Sequence, residues 1–204
     1  MPARCDDPGV TISPSTLGLS DCEVHLGGLL GQPVNTLSTV AFGVVALWLL
    51  GSRERTWVTN GMALTLLALG LGSFLYHGPG PRGAVIAHDA GIVAAAGLVL
   101  AVSVSAVRSV GPRGAARAMA AALALLTFGW LLHTLGRTGA VLCAPNAWLQ
   151  PHAAWHVVSA VGLGWLAVRT PSPTSRDRES TGQVSLPAEP PGLEGPASFL
   201  EIPG

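Results

Sequence analysis

The stretch His152-Ala-Ala-Trp-His156 decides how the chain must fold, and it lies near the start of an apolar run from Leu149 to Val168. Two histidines four residues apart lie on one face of a helix, so both imidazoles can point at the same object. Burying two imidazoles among apolar side chains costs free energy unless their nitrogens are satisfied. A shared divalent metal satisfies both, and imidazole suits zinc. Two histidines do not complete a metal site, so further ligands must come from other parts of the chain at the same depth in the membrane.

The composition is typical of a membrane protein. Of the 204 residues, 49% are hydrophobic and only 11% are charged, and the mean hydropathy is +0.49. Soluble domains usually carry about 25% charged residues. The net charge is zero, which gives no sign of nucleic-acid binding, and all eleven basic residues are arginine. The abundance of Ala, Gly and Pro suggests a GC-rich genome. We expect an integral membrane protein, located in a bacterial cell membrane.

Five apolar runs have about the 17–25 residues that a membrane-spanning helix needs. They are Leu26–Leu50, Trp57–Tyr76, Ala84–Val107, Ala118–Leu135 and Leu149–Val168. We therefore predict an all-α, polytopic transmembrane helix bundle over residues 26–169. An extracytoplasmic loop (1–25) precedes it, and a disordered tail (170–204) rich in Pro, Ser, Gly and Glu follows it.

The arginines predict the orientation of the bundle. Eight of them fall on one side of the predicted membrane and three on the other. The first group is Arg53, Arg55, Arg108, Arg113, Arg117, Arg169, Arg176 and Arg178, and the second is Arg4, Arg82 and Arg137. Because cytoplasmic loops carry the excess of basic residues, we expect the N-terminus outside and the tail in the cytoplasm.

Polar groups from three predicted spans then fall at one depth, within roughly 10 Å of the outer boundary. They are Ser73 and His77 at the end of the second span, His88 and Asp89 in the third, and His152 and His156 in the fifth. We therefore expect a site that opens toward the outer side of the membrane.

Asp89 is the strongest single signal, as the only acidic residue between positions 54 and 177. A carboxylate in a membrane helix marks function by default. The alternative is a structural ion pair with Arg82 or Arg137. Because successive helix residues point roughly 100° apart, we expect the neighbouring His88 to be a bystander or a supporting group.

Three histidines, an open coordination position and a nearby carboxylate follow the logic of catalytic zinc. Zinc lowers the pKa of a bound water and polarises a carbonyl group. Asp89 is predicted to take the proton of the water and pass it to a leaving amine. Ser73 is predicted to hydrogen-bond the developing oxyanion. Since the site opens toward the outer leaflet, an amide-bearing lipid is the expected substrate.

Several motifs, taken in order, resemble the alkaline ceramidase family of the superfamily of intramembrane zinc hydrolases that includes adiponectin receptors. They are Glu23, Gln32-Pro-Val-Asn-Thr-Leu-Ser38, Gly70-Leu-Gly-Ser-Phe-Leu-Tyr-His77, Asp89, Cys143-Ala-Pro145 and His152-Ala-Ala-Trp-His156. The resemblance runs from about residue 21 to 168. That family has seven spans and five are predicted here, so the chain looks like a shortened, prokaryotic-type member.

The resemblance implies a zinc-dependent amidase that cleaves a ceramide-like lipid. It assigns zinc ligation to His77, His152 and His156, with Asp89 and Ser73 supporting the zinc water. It also implies a disulfide between Cys22 and Cys143, whose alternative is two unpaired thiols.

The resembled family also binds calcium near its N-terminal acidic segment. Asp21 and Glu23 could bind calcium through their oxygens, but Gln32 stands where the family has an acid. Asn35 matches a family residue, and we expect it to cap the first helix.

Two other functions are also compatible with the sequence. One is a receptor or binding protein that keeps the family frame without catalysis, which the missing spans and Gln32 favour. The other is a haem-binding membrane protein, since facing histidines in a helix bundle bind haem. Asp89 and Ser73 would have no role in a haem site.

Overall fold

The computed structural model describes residues 21–53 and 55–170, and these form helices joined by short loops. The helices are α1 (Pro33–Ser38), α2 (Val40–Gly51), α3 (Trp57–His77), α4 (Ala84–Leu135) and α5 (Pro151–Arg169). The all-helical prediction is confirmed for this part of the chain. Most of the predicted N-terminal loop and nearly all of the predicted tail lie outside the described residues.

The first helix begins at Pro33, inside the apolar run 26–50 that was predicted to hold the first span. Gly27 and Gly28 have φ angles of 78° and 74°. This left-handed conformation suits glycine and does not continue a right-handed helix. Proline at the first helical position has its φ preset and needs no hydrogen bond for its missing N–H, so Pro33 is a natural start. Thr39 separates α1 from α2 and still has right-handed helical dihedrals, so Pro33–Gly51 forms one nearly continuous stretch.

Helix α4 is 52 residues long but reverses direction at Gly111, whose φ is 73° and ψ 169°. Pro112 follows and cannot donate a backbone hydrogen bond. The ring centroid of His88 lies 5.9 Å from that of His77, and the ring centroid of His133 lies 4.9 Å from that of His152. A straight helix would separate His88 from His133 by roughly 68 Å. The two arms, 84–110 and 112–135, are therefore antiparallel, and the reversal falls inside the turn predicted between the third and fourth spans.

Within the described residues, three stretches are long and apolar enough to cross a membrane: Pro33–Gly51, Trp57–His77 and Ala84–Leu135. Helix α5, the predicted fifth span, is not among them. Its histidines, glycines, serine and proline make it less hydropathic than the other helices. The bundle interior contains fully buried Phe42, Met62, Leu66 and Leu166, while many other apolar side chains point outward. Such an exposed apolar surface is consistent with an integral membrane protein.

Gly72 allows α3 and α4 to pack closely. A Cβ atom at Gly72 would lie 2.6 Å from the carbonyl oxygen of Ala87 and 3.0 Å from the backbone nitrogen of His88. Backbone atoms cannot move aside as a flexible side chain can. We expect Gly72→Ala to destabilise the bundle by about 1–3 kcal/mol, which is typical of overpacking.

Gly97→Ala is the matched control, because a Cβ atom at this α4 position meets nothing within 4 Å. Alanine there should stabilise the helix by up to about 1 kcal/mol. Thermal unfolding in detergent should give a lower midpoint for Gly72→Ala and an equal or higher one for Gly97→Ala. Equal midpoints for the two variants would contradict the close packing.

Candidate metal centre

Three histidines from two helices meet inside the bundle. His77 ends α3, and His152 and His156 lie in the first two turns of α5. All three are buried, and one ligand nitrogen from each lies within 4.8 Å of the others. The Nε2 atoms of His77 and His152 are 3.1 Å apart. The structure therefore brings together the three residues that the sequence assigned to zinc.

Each imidazole turns its Nδ1 atom toward an oxygen. His77 Nδ1 lies 2.7 Å from Gln32 Oε1, and His156 Nδ1 lies 2.7 Å from Ser38 Oγ. His152 Nδ1 lies 3.1 Å from Asp21 Oδ1, a close polar contact outside ideal hydrogen-bond geometry. Oxygens on the outer side of ligating imidazoles are the usual supports that fix their orientation in metal sites.

The partners also decide which ring nitrogen carries the proton. Gln32 Nε2 donates to the Glu23 carbonyl, so Gln32 Oε1 is the atom that accepts from His77. Ser38 Oγ donates to the Asn35 carbonyl, so it accepts from His156. The carboxylate of Asp21 lies 3.1 Å from His152 Nδ1 without a hydrogen bond, and its negative charge favours a proton on that nitrogen. All three Nδ1 atoms are therefore assigned the proton, those of His77 and His156 through hydrogen bonds and that of His152 through the nearby charge, and the three Nε2 atoms carry lone pairs.

Three buried lone pairs that converge are unfavourable unless something positive lies between them. A shared proton between His77 and His152 would leave His156 Nε2 buried without a hydrogen-bond partner. A single cation satisfies all three nitrogens. Tetrahedral zinc, with Zn–N distances of about 2.0–2.1 Å, separates its nitrogen ligands by roughly 3.3 Å. The observed 3.1 Å between His77 and His152 fits this donor set.

Ser73 lies one turn before His77 on α3 and is fully buried. Its Oγ atom has no hydrogen-bond partner within the described part of the chain. A buried hydroxyl left without a partner costs free energy and calls for an explanation, of which a bound substrate or water is one. The oxyanion role predicted for Ser73 from the sequence stays a prediction.

Asp89 is not brought into the cluster. Its side chain is 65% exposed, and its Oδ1 atom accepts from His88 Nδ1 at 2.9 Å. The inward position belongs instead to His88, which stacks on Tyr76 and meets the edge of the His77 ring. The inward position that the sequence favoured for Asp89 is thus taken by His88, which was expected to be a bystander or a supporting group.

The two carboxylates considered for calcium are occupied by protein groups. Asp21 faces His152 and His77, whereas Glu23 accepts from the backbone N–H groups of Val34 and Asn35 at 2.7 and 2.8 Å. Burial raises the pKa of Glu23, and these two N–H groups oppose that rise. Glu23 therefore caps α1, and the expectation that Asn35 does so is wrong. Asn35 lies inside the helix, which begins two residues earlier.

Cys22 and Cys143 form a disulfide that joins positions 121 residues apart, as the resemblance implied. The bond fixes the segment before α1 to the α4–α5 loop, residues 136–150. Further backbone and side-chain contacts join the same two segments, including a β-bridge between Asp21 and Arg137. The segment before α1 and the α4–α5 loop are thereby held together close to the histidines, since Asp21 contacts His152 and the loop leads into α5.

Sequence reasoning missed Gln32 and Ser38 as supports of the histidines. Both are polar residues in a stretch otherwise assigned to a membrane helix, and this polarity could have marked them as candidates. Asp21 was considered only as a calcium ligand. Its contact with His152 joins residues from opposite ends of the chain, which local patterns do not predict.

No family model matches the chain. No curated protein and no solved structure matches it either. The resemblance to alkaline ceramidases therefore stays a hypothesis that rests on the motifs themselves, and the case for a metal centre rests on the geometry of the three histidines.

Proposed function

We propose that the chain is a zinc-dependent intramembrane hydrolase that cleaves the amide bond of a ceramide-like lipid. The observation that carries the proposal is the convergence of three buried Nε2 lone pairs, from His77, His152 and His156, with oxygens behind the Nδ1 atoms. This donor set and its supports match those of catalytic zinc sites, which use three protein ligands and leave one position open.

The histidines, Ser73 and the surrounding apolar helices would each have a separate role in the hydrolysis. Zinc, when bound by the three histidines, supplies Lewis-acid polarisation of the amide carbonyl and lowers the pKa of a water molecule. Ser73 would donate its otherwise unused O–H to the carbonyl oxygen as negative charge develops there. The surrounding apolar helices would exclude bulk water, which strengthens each of these electrostatic interactions.

Asp89 enters the proposal only through His88. Its carboxylate accepts from His88 Nδ1 and so orients the ring, whose Nε2 atom is buried and without a partner in the described residues. We propose that Asp89 positions His88 beside the ligand His77 and does not itself touch the reacting atoms. This differs from the direct proton-transfer role expected from the sequence.

The proposed membrane arrangement has five crossings, with the two arms of α4 counted separately and α5 crossing last. The N-terminal segment would lie outside and the tail inside, as the arginine distribution favours. The histidine end of the bundle would then face the outer leaflet. The exposed apolar helix faces support entry of a lipid substrate, whereas the choice of a ceramide-like amide rests on the resemblance alone.

Metal analysis combined with a hydrolysis assay tests this function. The purified protein should contain about one zinc per chain and release fatty acid from ceramide in detergent micelles. A chelator should abolish the release, and added zinc should restore it. Bound zinc without release from any lipid amide would favour the receptor alternative and reject the enzyme.

The haem alternative is disfavoured by the packing of the rings. The centroids of His77, His152 and His156 lie 4.8–5.1 Å from one another. A haem ligated on both faces needs a porphyrin between its two imidazoles, and rings already in contact leave no space for one. A Soret band in the purified protein would overturn this conclusion.

A further inference from the structure

The segment Asp21-Cys22-Glu23, here called the clamp, contacts His152 and His77 directly through Asp21, and contacts Gln32 and the first turn of α1 through Glu23. Asp21 is buried, and its two oxygens lie 3.1 Å from His152 Nδ1 and 3.7 Å from His77 Nδ1. One carboxylate thus lies behind two of the proposed zinc ligands. An anion in this position favours the tautomer that leaves Nε2 free and raises the basicity of the ligating nitrogen.

Glu23 holds Gln32 through its backbone carbonyl and the first turn of α1 through its carboxylate. Its carbonyl accepts from Gln32 Nε2 at 2.9 Å, which turns Gln32 Oε1 toward His77. Its carboxylate holds the first turn of α1 through two backbone N–H groups. Helix α1 carries Ser38, the partner of His156. Glu23 therefore positions the oxygen behind His156 by fixing the helix on which that oxygen lies.

Cys22 lies between these two residues and anchors them to the α4–α5 loop. The disulfide to Cys143 is accompanied by two hydrogen bonds, Thr138 Oγ1 to the Asp21 carbonyl and Val24 N to the Pro145 carbonyl. The same loop leads directly into α5, where the side chain of Gln150 donates to three loop carbonyls before the helix begins. The clamp and the ligands of α5 are therefore fixed relative to each other by this loop.

We propose that Asp21, Cys22 and Glu23 act together as positioning residues for the metal ligands, and that the Cys22–Cys143 disulfide locks them in place. The metal affinity of the site then depends on the oxidation state of this bond. Reduction by a phosphine breaks the S–S bond, each sulfur gains one electron and one proton, and the phosphine becomes its oxide with an oxygen from water. The freed segment no longer holds the Asp21 carboxylate against the histidines. This inference rests on the proposed zinc site.

The test measures metal affinity in the full-length protein in detergent, well below its unfolding temperature. Zinc affinity is obtained by competition with a chromophoric chelator, and cobalt absorption reports the nitrogen coordination. Asp21→Asn, the double variant Cys22→Ser with Cys143→Ser, and phosphine-reduced wild-type protein should each bind zinc about 10–100-fold more weakly than the oxidised protein. The cobalt spectrum should change in parallel, which a purely structural role would not produce.

Two controls separate the clamp from general damage. Cys5→Ser, at the third cysteine of the chain, should keep wild-type affinity. Phosphine should have no effect on the double cysteine variant, because its bond is already absent. If the double variant does not fold, the zinc affinity of phosphine-reduced, folded wild-type protein still tests the role of the disulfide.

Unchanged zinc affinity in Asp21→Asn and in reduced wild-type protein, with one zinc still bound, would overturn the clamp and leave the zinc site standing. Absence of zinc binding in the oxidised wild-type protein would overturn the proposed function and the clamp together. The two failures are therefore distinguishable.

Discussion

His77→Ala should reduce zinc binding from about one ion per chain to nearly none and bring lipid amide hydrolysis to background. His77 is the only one of the three clustered ligands on α3, so its removal leaves two nitrogens from a single helix. Two neutral imidazoles are not the three-ligand set of a catalytic zinc site. The variant also leaves Gln32 Oε1 and the Asp21 carboxylate facing an empty space, which adds a stability cost of about 1–3 kcal/mol.

His25→Ala is the matched control for this loss. His25 is exposed, and its Nδ1 atom accepts from the backbone of Gly27 at 3.2 Å. Its removal should leave zinc content and hydrolysis unchanged. Zinc is quantified by mass spectrometry on protein purified without added metal. Full zinc occupancy in His77→Ala would show that α3 does not contribute to the site and would reject the proposed centre.

Ser73→Ala should lower kcat by about 100–1,000-fold while zinc content stays near one per chain, as expected for loss of an oxyanion donor. Because the hydroxyl has no partner within the described residues, its loss removes no interaction from the folded protein. The thermal midpoint should therefore stay equal or rise. A large loss of rate without loss of stability or metal is the signature of a group that acts on substrate.

Ser103→Ala provides the comparison, since Ser103 lies on α4 and its hydroxyl donates to the Val99 carbonyl at 2.7 Å. It lies roughly 22 Å along the helix from His88, far from the cluster. This variant should keep full activity. If Ser73→Ala hydrolyses ceramide as fast as the wild type, the oxyanion role of Ser73 is wrong.

The parts of the site that depend on local spacing were predictable from the sequence. His152 and His156 lie four residues apart on an amphipathic start of α5, and Ser73 and His77 repeat this spacing on α3. Helical periodicity then decides which face these side chains share. The division of α4 into two arms was also predictable, because the Gly111-Pro112 pair lies between two apolar runs and favours a break in the helix.

The parts that depend on helix rotation and on long-range pairing were not predictable. His88 and Asp89 are adjacent, so a rotation of about 100° decides which of them faces the bundle. The rarity of carboxylates in membrane helices favoured Asp89, but the packed structure buries His88 and leaves the Asp89 side chain 65% exposed. Asp21 and Gln32 contact histidines 131 and 45 positions away, and no local pattern contains those contacts.

The two cysteines of the disulfide lie 121 residues apart, so most of the bundle is synthesised between them. During synthesis, the first three helices and the first arm of the fourth emerge with only one of the three clustered histidines. If the three histidines bind an ion as proposed, the site is complete only once α5 has joined α3, because two of its three ligands lie on α5. The disulfide can close earlier, as soon as Cys143 has emerged, since this residue precedes α5.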